Sequence, residues 1–385
     1  MRKIYVLALV LAAAAACAPK EKTLKEALSD DFLIGCAVNE AQIRGTDVKG
    51  DSVLVKHFNC VEPENCLKPV EVMPKWGEYN FELADAYVDF AEKSGLICFG
   101  HCLIWHSQLT PDFCYDEDGN LLDPETLKTR MKQHITTMVT RYKGRIKGWD
   151  VVNEAIMEDG SYRQSPFYQI LGEEFIPWAF QCANEADPDV ELYYNDYSMH
   201  EPAKLETVIK MANSLIERGI RIDALGFQAH IGMDYPDLDL YESHIRRVKD
   251  ETGLDVCITE LDMSILPTLQ QSADVQSILS GRNMWEAMSD PETRAALLEK
   301  VDPYKGEYPT SQVEAWNTRY AEVIAMFRRN NDVIRRVNVW GVTDADSWKN
   351  GFPFPGRIDA PLFVDRQFNL KPFVQDIINN KENLF

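Results

Sequence analysis

Gly148-Trp149-Asp150-Val151-Val152-Asn153-Glu154-Ala155 is the stretch on which the reading of the fold turns. The four residues from Trp149 to Val152 suit a buried strand, and the run passes at once into Asn153-Glu154. A strand that ends in an amide and a carboxylate holds both rigidly, which is what acid–base chemistry needs. Asn and Glu also make ordinary turns, so the dipeptide gains meaning only if a second carboxylate occupies an equivalent position.

Seven further apolar runs of strand length accompany the one at 146–152. They lie at 32–38, 53–58, 96–101, 190–194, 224–228, 256–259 and 337–342. Stripes of helical period separate them. Phe81, Ala84, Tyr87, Val88 and Ala91 make the first, and Leu127, Met131, Ile135, Met138, Val139 and Tyr142 the second. A third runs from Leu205 to Ile216 and stops at Gly219, and a fourth runs from Val313 to Phe327. Met131, Met138 and the adjacent His134 therefore read as core. Strand and helix alternate without a break in composition, which predicts a parallel sheet covered by helices, an α/β (β/α)8 TIM barrel in a single domain over 29–385. A doubly wound sheet is the runner-up, but no G-x-G-x-x-G follows the first strand. Residues 268–312 interrupt the rhythm and are expected to form a partly helical insertion after the seventh strand, shaping a cleft on the active-site face.

The 385 residues are 45% hydrophobic and 10% aromatic, which excludes a disordered chain. A formal net charge of −21 disfavours nucleic acid and anionic membrane surfaces as partners, and it is compatible with a neutral ligand such as a sugar. Residues 1–16 read as an export signal, with Arg2 and Lys3 before an apolar run too short for a comfortable membrane span. Small residues ending on Cys17 resemble a bacterial lipoprotein signal, although Ala14 stands where such signals usually carry Leu. Cys17 would then be lipidated and anchor the protein in the periplasm or at the cell surface; plain secretion is the alternative. Residues 17–28 read as a linker, with a short polar helix as the other reading from Thr23 onward. Of the eight remaining cysteines, Cys36, Cys98 and Cys257 lie in apolar runs and read as buried thiols. Cys60–Cys66 and Cys102–Cys114 stay open as bridges, and the oligomeric state is not legible.

The run at 96–101 leads into His101-Cys102-Leu103-Ile104-Trp105-His106-Ser107-Gln108. The next ends Asn153-Glu154, the fifth is followed by Asn195-Asp196-Tyr197, and the sixth ends Gln228-Ala229-His230. The seventh ends Thr259-Glu260-Leu261-Asp262, and the eighth leads through Trp340 and Asp344 to Ser347-Trp348. In a barrel these ends share one mouth. Two glutamates among amides, imidazoles and indoles suit glycosidic bond hydrolysis, with aromatic faces stacking on sugar rings. A carboxyl among aromatic rings is pushed toward its acid form, whereas an imidazole neighbour favours the anion. His101 and His106 are five apart on a strand and loop, unlike a helical ligand pair, so neither metal nor cofactor is expected. His106 reads equally as a structural residue or a sugar contact. Trp76, Trp178, Trp285 and Trp316 read as packing, and Asp150, Asp196 and Asp344 as framework.

The segments HCLIWHSQ, WDVVNEA, LYYNDYS, GFQAHI, ITELD and WGVTDADSW, in this order, resemble the motif series of the family 10 glycoside hydrolases, the β-1,4-xylanase family. The resemblance covers about residues 30–375 and implies an endo-acting, retaining enzyme on xylan or xylo-oligosaccharides. It implies Glu154 as general acid/base and Glu260 as nucleophile, with carboxyls about 5–5.5 Å apart. Asn153 would bond the sugar 2-hydroxyl, and His230, backed by Asp262, would orient the nucleophile. His101, Trp105, Gln108, Trp340 and Trp348 would line the −1 subsite, with Gln228 and Asn195 also binding substrate. Glu64, Asn65 and Lys68 match the −2 segment, but Leu67 and Pro69 replace the usual Met and Trp, so the backbone after Lys68 is expected to bend differently. A preference for β-glucan or short oligosaccharides is the alternative within enzymes. A non-catalytic carbohydrate-binding lipoprotein is the alternative outside them, and the retained carboxylate pair argues against it.

Overall fold

Eight parallel strands close on themselves: β1 (Leu33–Val38), β2 (Cys60–Pro63), β3 (Ile97–Gly100), β4 (Ile146–Asn153), β5 (Glu191–Asp196), β6 (Ala224–Phe227), β7 (Asp255–Met263) and β8 (Ile334–Val339). Each pairs with its neighbours in sequence, and β8 pairs with both β7 and β1, so the expected (β/α)8 barrel is formed. This is a computed structural model, which describes residues 21–267, 273–281 and 284–379. The expected export signal over 1–16 and Cys17 lie outside the described residues. Among those described, no helix is long and apolar enough to cross a membrane.

The stripes become the covering helices. Ala84, Tyr87, Val88 and Ala91 are the buried face of helix Glu82–Lys93, and Leu127 through Val139 that of Pro124–Arg141, with His134 among them. Ile216 departs from its stripe and is 42% exposed. Inside the barrel, glycine makes room for large neighbours. A Cβ on Gly100 would lie 2.2 Å from the Trp149 ring, and one on Gly226 would lie 2.4 Å from Asn195 Oδ1.

Three expectations need correction. The run 53–58 is not a strand but part of helix Val48–His57. Asp47 caps it by accepting from Gly50 N–H at 3.0 Å, and Gly50, Leu54 and His57 are buried at helical spacing while Val55 stays exposed. The true second strand, Cys60–Pro63, hides in the sequence because it carries a charge, Glu62, whose partner Arg336 comes from β8. The linker also ends earlier than expected. Thr23 and Glu26 form a capping box on helix Leu24–Ala27, and Leu24 and Leu28 are fully buried in the main core. Finally, neither suggested disulfide forms: the eight described cysteines are free and buried.

The insertion carries helices Ala273–Leu279, Met284–Ser289 and Pro291–Val301; residues 268–272 and 282–283 lie outside the described residues. Val275, Leu279, Ala287, Met288, Leu297 and Val301 build a small core of their own with Phe354. This unit is tied to the loop beyond Trp348: Asp302 Oδ2 accepts from Ile358 N–H at 2.9 Å, and Tyr308 Oη donates to Ile358 O at 2.7 Å.

Candidate active site

Strand register brings the functional side chains together at the carboxyl ends. Asn153 is paired with Asn195 across β4 and β5. A two-residue strand, Ile104–Trp105, adds to the end of β4 and sets Trp105 beside Asn153. Another, His230–Ile231, adds to β7 and sets His230 beside Asp262. The backbone turns sharply at two of these ends, where Glu154 (φ 57°) and Ala229 (φ 61°) adopt the left-handed conformation. Non-glycine residues held there are uncommon and cluster at functional sites.

Glu154 is half-buried and surrounded by neutral donors. Trp105 Nε1 donates to its Oε2 at 2.9 Å, and Gln228 Nε2 donates to its Oε1 at 3.0 Å. Asn153 Nδ2 adds a longer bond of 3.4 Å. The Glu154 backbone carbonyl accepts from Arg163 Nε at 2.9 Å, and Arg163 also donates to the Tyr197 hydroxyl. Glu260 is 5% exposed and differently dressed. Asn195 Nδ2 donates to its Oε1 at 2.9 Å, and His230 Nε2 lies 3.1 Å from its Oε2. Two amides span the two carboxyls: Asn153 reaches Glu154 through Nδ2 and accepts at 3.0 Å through Oδ1 from Asn195 Nδ2, which also donates to Glu260.

Charge follows the same division. Burial raises the Glu260 carboxyl, but the hydrogen bond from His230, the positive fields of His101 and His230, and the Asn195 amide outweigh it and leave it below the usual range. His230 is pushed up to about 9: burial opposes its charge, and the carboxylates of Asp262 and Glu260 override that cost. His230 Nδ1 lies 3.1 Å from Asp262 Oδ2, which also accepts from Trp348 Nε1 at 2.8 Å. Lys349 Nζ, 3.2 Å from Asp262 Oδ1, completes this group. The imidazole partner expected for the second glutamate is therefore in place.

His101 and Trp340 meet edge to face with centroids 5.4 Å apart, and Trp105 lies 6.2 Å from the same imidazole. Lys68 bonds Asn65 Oδ1 at 3.0 Å and sits 5.0 Å from the Trp105 centroid, so the expected −2 segment adjoins the cluster. Glu64 is half-buried beside it, raised by burial against the pull of Lys68. Pro69 opens helix Pro69–Val72 at its first position, where its missing N–H costs nothing, and Lys68 takes the extended conformation that precedes proline. The Gln108 side chain is exposed, and its carbonyl accepts from Val70 N–H beside the Lys68 segment.

Sequence reasoning missed several supports. Thr259 Oγ1 donates to Asn195 Oδ1 at 2.7 Å and fixes the direction of that amide, and Lys349 anchors Asp262. Asp150, read as framework, lies 2.8 Å from His101 Nδ1. A strand places Asp150 on the inner face with no local sign of which side chain it will meet. Asp196 accepts from Ile156 N–H in the loop after β4 at 3.4 Å and lies 2.7 Å from the buried Lys204. Trp316 is core, donating to Met263 O at 2.7 Å; the Trp285 side chain lies outside the described residues. Glu62, His101 and Asp150 have the spacing of a metal site, but Arg336 Nη1 already sits 3.0 Å from Glu62 and its charge repels a cation.

The sequence profile of the family described as glycosyl hydrolase family 10 matches residues 23–380. The chain is 41% identical to endo-1,4-beta-xylanase A of Xylanibacter ruminicola, covering 98% of this chain and 99% of that one. Against an endo-1,4-beta-xylanase of Geobacillus stearothermophilus it is 34% identical over 93% and 98% of the two chains. Among solved structures, a family 10 endoxylanase retrieved from a sugarcane soil metagenome superposes with a TM-score of 0.82 at 34% identity, covering 94% of this chain and 99% of the other.

Proposed function

This chain belongs to glycosyl hydrolase family 10, and we propose that it is a retaining endo-β-1,4-xylanase in which Glu154 and Glu260 divide the chemistry. The observation that carries this reading is the unequal dressing of two carboxyls joined through the amides of Asn153 and Asn195. Glu260 is held ionised by imidazoles and suits attack on the anomeric carbon. Glu154, bonded by neutral donors, suits giving a proton to the leaving oxygen as the C1–O bond breaks. In the second step Glu154 takes a proton from water, the hydroxide bonds to C1, and the Glu260 ester is released. Asn153, between both carboxyls, is placed to bond the 2-hydroxyl, an interaction that tightens in the transition state.

His101, Trp105, Trp340 and Trp348 would enclose the −1 sugar, while Glu64, Asn65 and Lys68 would hold the next ring. The insertion, through its ties to the loop beyond Trp348, would shape the cleft wall. A pentose lacks the hydroxymethyl group, and the indoles around His101 favour the smaller ring. Product analysis tests the substrate: xylan should yield a ladder of xylo-oligosaccharides and cellulose none. Release of xylose alone from chain ends, or equal cleavage of β-glucan, would overturn the endo-xylanase assignment. Export and lipidation at Cys17 belong to the same proposal and rest on the sequence. Labelled palmitate should enter the full-length protein and not Cys17→Ala; equal labelling of neither form would leave plain secretion standing in its place.

A further inference from the structure

Below the sugar pocket the barrel interior holds a second set of charges. Arg336 on β8 is 1% exposed, and its Nη1 donates to Glu62 Oε2 on β2 at 3.0 Å. Asn338 Nδ2 donates to the same oxygen at 2.7 Å, and the guanidinium lies 3.9 Å from the Phe99 centroid. The other Glu62 oxygen and Asp150 Oδ1 are buried and accept no hydrogen bond from the described residues. One oxygen from each of these carboxyls and one nitrogen of His101 lie within 4.8 Å of one another. Two buried carboxylates facing one guanidinium leave a negative charge uncompensated, which is costly away from water. His101, already 2.8 Å from Asp150, is the group beside them able to carry the balancing proton.

We propose that Glu62 is a positioning residue for the reaction: by offsetting the Arg336 charge it leaves Asp150 to keep His101 protonated, and the His101 charge helps keep Glu260 ionised. The proposal rests on the reading of Glu260 as nucleophile. Burial opposes a charge on His101, but the Asp150 hydrogen bond and the Glu260 and Asp150 carboxylates hold it above its ordinary value, against a smaller opposing push from Lys68. Burial pushes Glu62 up to about 7 while Arg336 pulls it down, so Glu62 and His101 compete for one proton near neutrality. Arg336, paired to Glu62 and faced also by Cys257, Tyr193 and Asp150, tips that competition toward the imidazole. Cys60, beside Glu62 and Arg336, is itself pushed up to about 12 by burial and stays neutral.

The test is an NMR titration of His101 in the histidine-labelled full chain, with its resonance assigned by loss in His101→Asn. Wild-type His101 should titrate above the ordinary imidazole range. In Glu62→Gln the titration should fall by about one pH unit. In His101→Asn, which removes the imidazole charge at every pH, the acid limb of kcat/KM should move up. The double variant Glu62→Gln/Arg336→Met removes one charge of each sign and leaves no unpaired ion, so it is the arm least prone to unfolding, and its His101 should titrate like wild type. A merely structural pair would lower the melting temperature of Glu62→Gln and leave the His101 titration unmoved; that result overturns the proposal. A double variant displaced as far from wild type as the single one overturns it too. An acid limb left unmoved by His101→Asn overturns instead the link to Glu260, which separates the two failures.

Discussion

Glu154 and Glu260 are the same residue type at the ends of β4 and β7, yet their surroundings share little. Glu154 is half-buried, sits at a left-handed turn and takes its carboxylate hydrogen bonds from an indole and two amides. Glu260 is almost fully buried, lies in regular strand and faces His230 at hydrogen-bond distance and the field of His101. The pair teaches that in this barrel the division of labour is set by neighbours from other strands. Residue identity supplies only the carboxyl; the environment decides which one faces imidazoles.

The sharpest way to break this comparison is to remove each carboxyl in turn. Glu260→Ala should lower kcat by at least about 10⁴-fold on every substrate, while calorimetry still detects oligosaccharide binding. Glu154→Ala should lower turnover of xylan by roughly 10²–10⁴-fold and spare an aryl xyloside with a good leaving group, because only a poor leaving group needs the proton. Equal losses on both substrates for both variants would mean that the two glutamates are not differentiated.

A smaller effect sharpens the same contrast through pH. His230 is raised from about 6.5 to about 9 in the folded chain. Its contribution to stability is therefore complete below about pH 6.5 and is lost as pH rises through about 9. Glu260 runs the other way: its lowered value gives stability above the ordinary carboxyl range that is lost as pH falls through the folded value. His230→Asn should flatten the fall in melting temperature between about pH 6.5 and about 9 and move the acid limb of kcat/KM up by about one unit. An acid limb that stays in place would show that His230 does not hold the nucleophile ionised.

Seven of the eight strands were legible because buried parallel strands read as short apolar runs. The exception shows why. Val53, Leu54 and Val55 have the composition of a strand but lie in a helix capped by Asp47, and Cys60–Pro63 has a charge where a strand of this kind is usually apolar. The site was legible at the strand ends, where Asn153-Glu154, Thr259-Glu260-Leu261-Asp262 and Gln228-Ala229-His230 close apolar runs. Gln108 belonged to the same motif and is nevertheless exposed, since a loop residue is placed by its backbone contacts and not by strand register.

Local period and strand-end chemistry by themselves determined the alternation of strand and helix, the barrel, and the pair of glutamates at its mouth. Those features depend on residues a few positions apart, so a linear reading reaches them. Only the tertiary structure decided what each carboxyl faces. Thr259 aligns Asn195 across 64 residues, Trp348 holds Asp262 across 86, and Arg336 meets Glu62 across 274. Closure of the barrel brings these partners together, and in its dry interior a charge is tolerated only where its partner arrives.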